Sequence, residues 1–162
     1  MIRTVIGLGA NLGDRLATMR AAVGAIGRID ALTVRATSRV YATAPVGLAE
    51  QPEFLNGAVL VEYMKSPHAL LEALLGIEKG LGRTRGSDDV RWGPRTIDLD
   101  VLWIDGVVVD EPGLTVPHPR LTERAFALVP LLEVVPHAVD PRSGAVFAAP
   151  ASPDVRATSF TL

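Results

Sequence analysis

The stretch Arg91–Asp105, RWGPRTIDLDVLWID, decides the fold. From Thr96 to Ile104 polar and apolar residues alternate, which is the period of a strand with one face buried. Ile97, Leu99, Val101 and Trp103 then point to one side and Asp98 and Asp100 to the other. The apolar set is expected to face helices. The aspartates stand on the opposite face, with Cα atoms roughly 6.5–7 Å apart. A divalent cation removes the repulsion between two such carboxylates. Two ions at the ~3.5–4 Å separation of two-metal sites can be bridged by a pair at this spacing. Magnesium suits it, because it takes few carboxylates and fills its shell with water and phosphate oxygens. The plain alternative is a pair of carboxylates on a solvated sheet face.

Immediately upstream, Arg83–Arg95 has no hydrophobic period and carries Arg83, Arg85, Arg91 and Arg95. Guanidinium groups match phosphate oxygens as bidentate forks, and a loop of this length is commonly functional or disordered. Trp92 can cover a flat ring or anchor the loop. Asp88 and Asp89 partly offset the arginines and fit a merely solvated loop. Downstream, Asp105-Gly106 is a hairpin turn signal into Val107–Val109. Residues 111–121 read as irregular, with Pro112, Pro117 and Pro119. Thr122 is placed to cap a helix reaching about Val135, kinked or divided at Pro130. The tail from Pro136 is assigned little regular structure.

Toward the N-terminus, Thr4–Gly9 reads as a buried strand. A helix follows, with Leu16, Met19, Val23 and Ile26 on one face and Gly27 as its stop. Ala31–Thr43 and Glu53–Met64 read as strands on either side of the loop 44–52. Ser66-Pro67 opens a helix whose core face is Leu70, Leu74, Ile77 and Leu81. The order strand, helix, strand, strand, helix, strand is the split β-α-β pattern of a ferredoxin-like α+β fold: an antiparallel sheet with helices on one face and loops and ligands on the other. The 162 residues fit one domain spanning 1–162.

Composition excludes several function classes. The chain has no cysteine, so disulfides, thiolate metal sites and cysteine nucleophiles are ruled out. A net charge of −2 argues against a nucleic-acid partner. Fourteen of the sixteen basic residues are arginine. Their clustering in one loop suggests a small anionic ligand. No signal-peptide core or membrane-length apolar run is visible, which makes a cytoplasmic protein the expectation. The phosphate-binding P-loop and the protein-kinase signatures are both missing. Gly7, Gly9 and Gly13, spaced G-x-G-x-x-x-G, read as a tight strand-to-helix turn.

Four segments in order carry a family resemblance: GANLGDR at 9–15, QPEFLNGAV at 51–59, RWGPRTIDLDVL at 91–102 and LTVPHPRLTERAF at 114–126. The chain resembles the 6-hydroxymethyl-7,8-dihydropterin pyrophosphokinases of folate synthesis. The resemblance implies transfer of pyrophosphate from ATP, with two Mg2+ ions, to the hydroxymethyl group of a reduced pterin, releasing AMP. By position it implies that Asp98 and Asp100 bind metal and that Arg83 and Arg95 are catalytic arginines at the ATP phosphates. Arg91, Trp92, His118 and Arg124 join them on the nucleotide. Thr43, Ala44, Pro45, Val46, Phe54, Asn56 and Phe126 form the pterin site, the two aromatics sandwiching the ring and Asn56 reading its edge. Glu78 matches an acidic position near the active site. Phe54 stands where many members have tyrosine, and Ala44 where a proline is common. The expected partners are small molecules alone, with no nucleic acid and no membrane, and the expected state is a monomer. The rival readings are a phosphotransferase for another small alcohol and a non-catalytic ligand-binding module.

Overall fold

The structure is a computed structural model that describes residues 1–10, 14–43, 53–82, 97–149 and 154–162. Its frame is a sheet of β1 (Ile2–Ala10), β2 (Leu32–Thr37), β3 (Arg39–Thr43), β4 (Phe54–Tyr63), β5 (Asp98–Ile104) and β8 (Val155–Thr161). The strand order is β5-β1-β4-β3-β8, with β2 also paired to β4, and every pairing is antiparallel. Helices α1 (Arg15–Gly27), α2 (Pro67–Gly80) and α3 (Ala125–Val134) complete the chain, with a small hairpin of β6 (Val109–Glu111) and β7 (Leu114–Val116). Among the described residues no helix is long and apolar enough to cross a membrane.

Both long helices carry a side-chain cap, and α2 starts at Ser66-Pro67 as the sequence predicts. Asp14 accepts the backbone N–H of Ala17 at 3.1 Å and Ser66 that of Ala69 at 3.2 Å, each satisfying an otherwise orphaned donor. Met19, Ala22 and Ile26 of α1 and Leu70 and Leu74 of α2 are buried on one face of the sheet. They pack there against Ile6 and Leu8 of β1, Val59 and Val61 of β4, and Leu99 and Val101 of β5. This is the ferredoxin-like arrangement expected from the element order.

The opposite face departs from that expectation. Leu128 and Leu131 of α3, with Val135 just beyond it, pack against Val5, Ala58, Leu60, Leu102 and Trp103, so half of the second face is also covered. Alternation puts Trp103 on one side with Leu99 and Val101; it lies instead on the aspartates' face. The cause is a bulge: Ile6 pairs with Val101 but Val5 pairs with Trp103, so Leu102 is an extra residue in β5. A bulge resets the alternation. Gly7 permits it, since a Cβ there would come within 2.8 Å of Leu102 Cδ1. The Trp103 indole is buried and donates to Val139 O at 2.8 Å.

Other boundaries also differ from the sequence reading. Ala31–Thr43 is broken at Ser38, which is fully buried and accepts the backbone N–H of Ala58 through its hydroxyl at 2.8 Å. The Asp105-Gly106 turn supports only a single bridge, Ile104–Val107, and the true hairpin lies in the supposedly irregular stretch, turning at Pro112-Gly113. Thr122 does not cap α3. It sits in a 3-10 turn, Leu121–Glu123, and α3 runs through Pro130. The tail has little regular structure up to Ala149, where it wraps Trp103 with Ala138 and Phe147, but it then adds β8 to the free edge of β3.

Glu133 fastens α3 to β3. Its carboxylate accepts the Arg39 backbone N–H at 2.9 Å, the Arg39 guanidinium at 3.3 Å and the Tyr41 hydroxyl. Burial pushes the Glu133 carboxyl up, but Tyr41 and Arg39 together outweigh it and hold it below the usual range. Burial and the facing carboxylate push the Tyr41 hydroxyl up.

Candidate active site

Where α3 does not reach, the second face of the sheet opens into a cavity of about 700 Å³. Its floor is set by the strand register. Asp98 pairs with Gly9, and Gly9 with Asn56; one step along, Asp100 pairs with Gly7, and Gly7 with Ala58. The acidic pair and the Asn56 amide therefore share one face at two strand spacings, roughly 10 Å apart. Only glycines lie between them. A Cβ on Gly9 would stand 3.3 Å from Asn56 Oδ1, so the bare strip is what lets a flat molecule lie across β1.

Asp98 and Asp100 line the cavity, Asp98 half-buried and Asp100 exposed. The strand that presents them is an edge strand, and two of its outward backbone groups are taken up from outside the sheet. Glu78, buried on α2, accepts the N–H of Leu99, the residue between the aspartates, at 2.8 Å. The His118 N–H donates to Leu102 O at 2.9 Å. Glu78 is thus a support for the acidic strand, a role its sequence position did not reveal.

His118 is half-buried beside this edge. Burial holds its imidazole below the ordinary histidine value. Asp100 pulls the other way, and Arg124 and Arg120 add to the lowering. The ring is therefore neutral near pH 7. Its Nδ1 accepts the Arg120 N–H at 3.3 Å, which puts the proton on Nε2. The influence of Asp100 and Arg124 on one imidazole brings three of the expected residues into one neighbourhood. The Arg124 guanidinium lies 5.8 Å from the centre of the Phe126 ring.

At the other end, Thr43, Phe54, Asn56 and Phe126 all line the cavity. Phe54 rises from β4, while Phe126 comes from the first turn of α3 and is 38% exposed. Asn56 is buried, and its Nδ2 donates to Thr43 Oγ1 at 2.9 Å, which fixes the amide's orientation. The structure therefore brings together Asp98, Asp100, His118, Arg124, Thr43, Phe54, Asn56 and Phe126. Arg83, Arg91, Trp92, Arg95, Ala44, Pro45 and Val46 lie outside the described residues.

Sequence reasoning missed Gly7, Gly9, Leu102, Glu123, Asp154 and Val155 as parts of the wall. The glycines carried a usable signal: two at i and i+2 in a strand leave one face bare. Nothing local marked Asp154 and Val155, which reach the cavity only through the pairing of β8.

Fold and cavity together define a class: a ferredoxin-like sheet protein with a small-molecule site on the sheet, acidic at one end, aromatic and amide-lined at the other. The particular family follows from comparison. The model of the 7,8-dihydro-6-hydroxymethylpterin-pyrophosphokinase (HPPK) family matches residues 5–136, and the chain belongs to that family. It is 45% identical over 139 residues to the 2-amino-4-hydroxy-6-hydroxymethyldihydropteridine pyrophosphokinase of Methylorubrum extorquens, covering 86% of each chain. It is 46% identical over 129 residues to the enzyme of that name from Bacillus subtilis, covering 80% of this chain and 75% of that one. A crystal structure of Plasmodium falciparum HPPK-DHPS shares the fold at a TM-score of 0.70 and 14% identity. The match takes in 90% of this chain but 43% of that longer one.

Proposed function

We infer that the protein transfers the pyrophosphoryl group of ATP to the hydroxymethyl oxygen of 6-hydroxymethyl-7,8-dihydropterin, releasing AMP, in folate synthesis. Family membership supports the reaction. The observation that carries the assignment of the cavity is the row Asp98–Gly9–Asn56, an acidic end and an amide end on one open face.

In this reading the pterin lies between Phe54 and Phe126, with Asn56 against its edge. Thr43 holds the Asn56 amide in the orientation that presents its oxygen. The hydroxymethyl group then points along the bare strip of Gly9 and Gly7 toward the aspartates. Its oxygen attacks the β-phosphorus in line; an oxygen–phosphorus bond forms, the bond to the α-phosphate oxygen breaks, and the hydroxyl proton is lost. Two carboxylates on an open face, in no larger cluster of acidic or histidine ligands among the described residues, fit magnesium's preference for few protein ligands. When bound there, two Mg2+ ions would neutralise charge on the phosphates. Asp98 and Asp100 hold that site, and Glu78 keeps their strand in place. The His118 Nε2–H and the Arg124 guanidinium are donors for phosphate oxygens. Arg83, Arg91, Arg95 and Trp92 are assigned by the sequence to the nucleotide, and Ala44, Pro45 and Val46 to the pterin. Positioning supplies most of the acceleration. We read the protein as a monomer working on small molecules in the cytoplasm; the net charge of −2 fits a partner other than nucleic acid, and the lack of cysteine fits a reducing compartment.

The experiment is product analysis. Purified protein with ATP, Mg2+ and the hydroxymethyl pterin is expected to release AMP, and to release none when the pterin is omitted. ADP as product would mean single phosphoryl transfer and overturn the reading.

A further inference from the structure

The C-terminal strand lies beyond residues 5–136, the part matched by the family, yet it forms one wall of the cavity. β8 pairs with β3 so that Val155 stands opposite Thr43, Arg156 opposite Ala42 and Ala157 opposite Tyr41. Asp154 and Val155 then line the cavity beside Thr43 and Asn56. The strand is firmly seated. At its start, Arg156 Nη2 bonds both carboxylate oxygens of Glu53, at 2.5 and 2.6 Å. In its middle, Thr158 Oγ1 donates to Val40 O at 2.7 Å. At its end, Arg20 donates to Thr161 O through Nε and Nη2 at 3.1 and 3.0 Å, and Leu162 packs on the core so closely that a Cβ on Gly57 would meet its Cδ1 at 2.7 Å.

We propose that this strand walls the ring-binding end of the site and that Asp154 is a specificity-determining residue, accepting hydrogen bonds from an amino-substituted edge of the ring. The inference rests on the pterin reading of the cavity. β5 and β8 are opposite ends of the strand path, four spacings or roughly 19 Å apart. Asp154 therefore belongs to the end away from Asp98 and Asp100 and does not serve the phosphates. A carboxylate has acceptors only, so its partner is a donor. The 2-amino group and adjacent ring N–H of a reduced pterin present two donors side by side, the spacing that two carboxylate oxygens accept. A site built to bond a ligand's N–H discriminates strongly against an analogue lacking it, because the acceptor is then left unpaired.

The test is steady-state kinetics of the full chain with Asp154→Ala, Asp154→Asn and Arg156→Ala, using the hydroxymethyl pterin and its analogue without the 2-amino group. Asp154→Ala and Asp154→Asn are expected to raise KM for the pterin about 10-fold, to leave KM for ATP within about twofold, and to shrink the preference for the amino-bearing ring. Arg156→Ala, which loosens the strand at Glu53, is expected to shift KM for the pterin in the same direction by less. Unchanged KM and unchanged preference in both Asp154 variants overturn the proposal. Asn56→Ala separates the two readings. If it weakens pterin binding while the Asp154 variants do not, only the role of the strand is lost. If Asn56→Ala spares pterin binding, the cavity itself has been misassigned.

Discussion

The two faces of the sheet solve different problems with the same strands. Under α1 and α2 the inward positions of β1 and β4 are filled by Ile6, Leu8 and Ala10, then by Leu55, Val59 and Val61, all buried. On the other face the alternate positions of β1 are Val5, Gly7 and Gly9, and those of β4 are Asn56, Ala58 and Leu60. Toward Val5 and Leu60 that face is apolar and covered by α3. Toward Gly9 and Asn56 it is bare and polar, and it is the cavity. β1 thus serves stability through its even-numbered residues and function through Gly7 and Gly9. Substitutions one position apart should therefore damage different properties.

The largest effect should come from the functional face. Asp98→Ala and Asp100→Ala are each expected to lower turnover by at least about 10³-fold. The melting temperature should stay near that of the parent, since neither side chain belongs to either core. Turnover comparable to the parent in either variant would mean that the acidic pair is ornamental. On the closed face Leu74→Ala should do the reverse. It removes a fully buried side chain and is expected to cost about 2–5 kcal/mol in denaturant unfolding, with kcat per folded molecule unchanged. A loss of kcat there would show that the two faces are mechanically coupled. Gly9→Val plants a branched side chain between Asp98 and Asn56. A fall in kcat/KM of about 10²-fold with little change in stability is expected; a large stability loss would mean the bare strip is a packing requirement instead.

The smallest effect concerns His118. Its folded-state pKa lies below 6.5, so the unfolded chain takes up a proton first as pH falls. The associated stability is fully present above about 6.5 and is lost as pH drops through the folded value. An NMR titration of the ring without nucleotide should give a midpoint below 6.5. Added polyphosphate should move that midpoint upward, because a nearby anion favours the imidazolium. A midpoint that ignores polyphosphate would separate His118 from the phosphate end.

Much of the fold and half of the site are legible in the residues alone. Ser66-Pro67 announces α2 because capping is local chemistry. The faces of α1 and α2, and the placing of Asp98 and Asp100 on a strand's polar side, follow from periodicity. Periodicity misplaces Trp103 because alternation assumes an uninterrupted ladder, and the bulge at Leu102 depends on Gly7 in a strand nearly a hundred residues away. Thr122 has the chemistry of a cap, but Leu121–Glu123 closes into its own short turn first. The tail gives little strand signal because four of the seven residues of Val155–Thr161 are polar and a Pro- and Ala-rich stretch precedes them; an edge strand can be so when its partner, β3, already exists.

By itself, then, the sequence determined what neighbouring residues determine: where helices begin, which side chains share a face, and which four motifs place the chain in its family. Tertiary structure decided which distant groups meet. It set Asp98, Gly9 and Asn56 in one row, placed Glu78 under the backbone between the aspartates, closed α3 over half a face, and brought Asp154 to the cavity wall. The physical reason is that strand register and edge pairing are chosen by packing over the whole sheet, and no local stretch of sequence contains that sum.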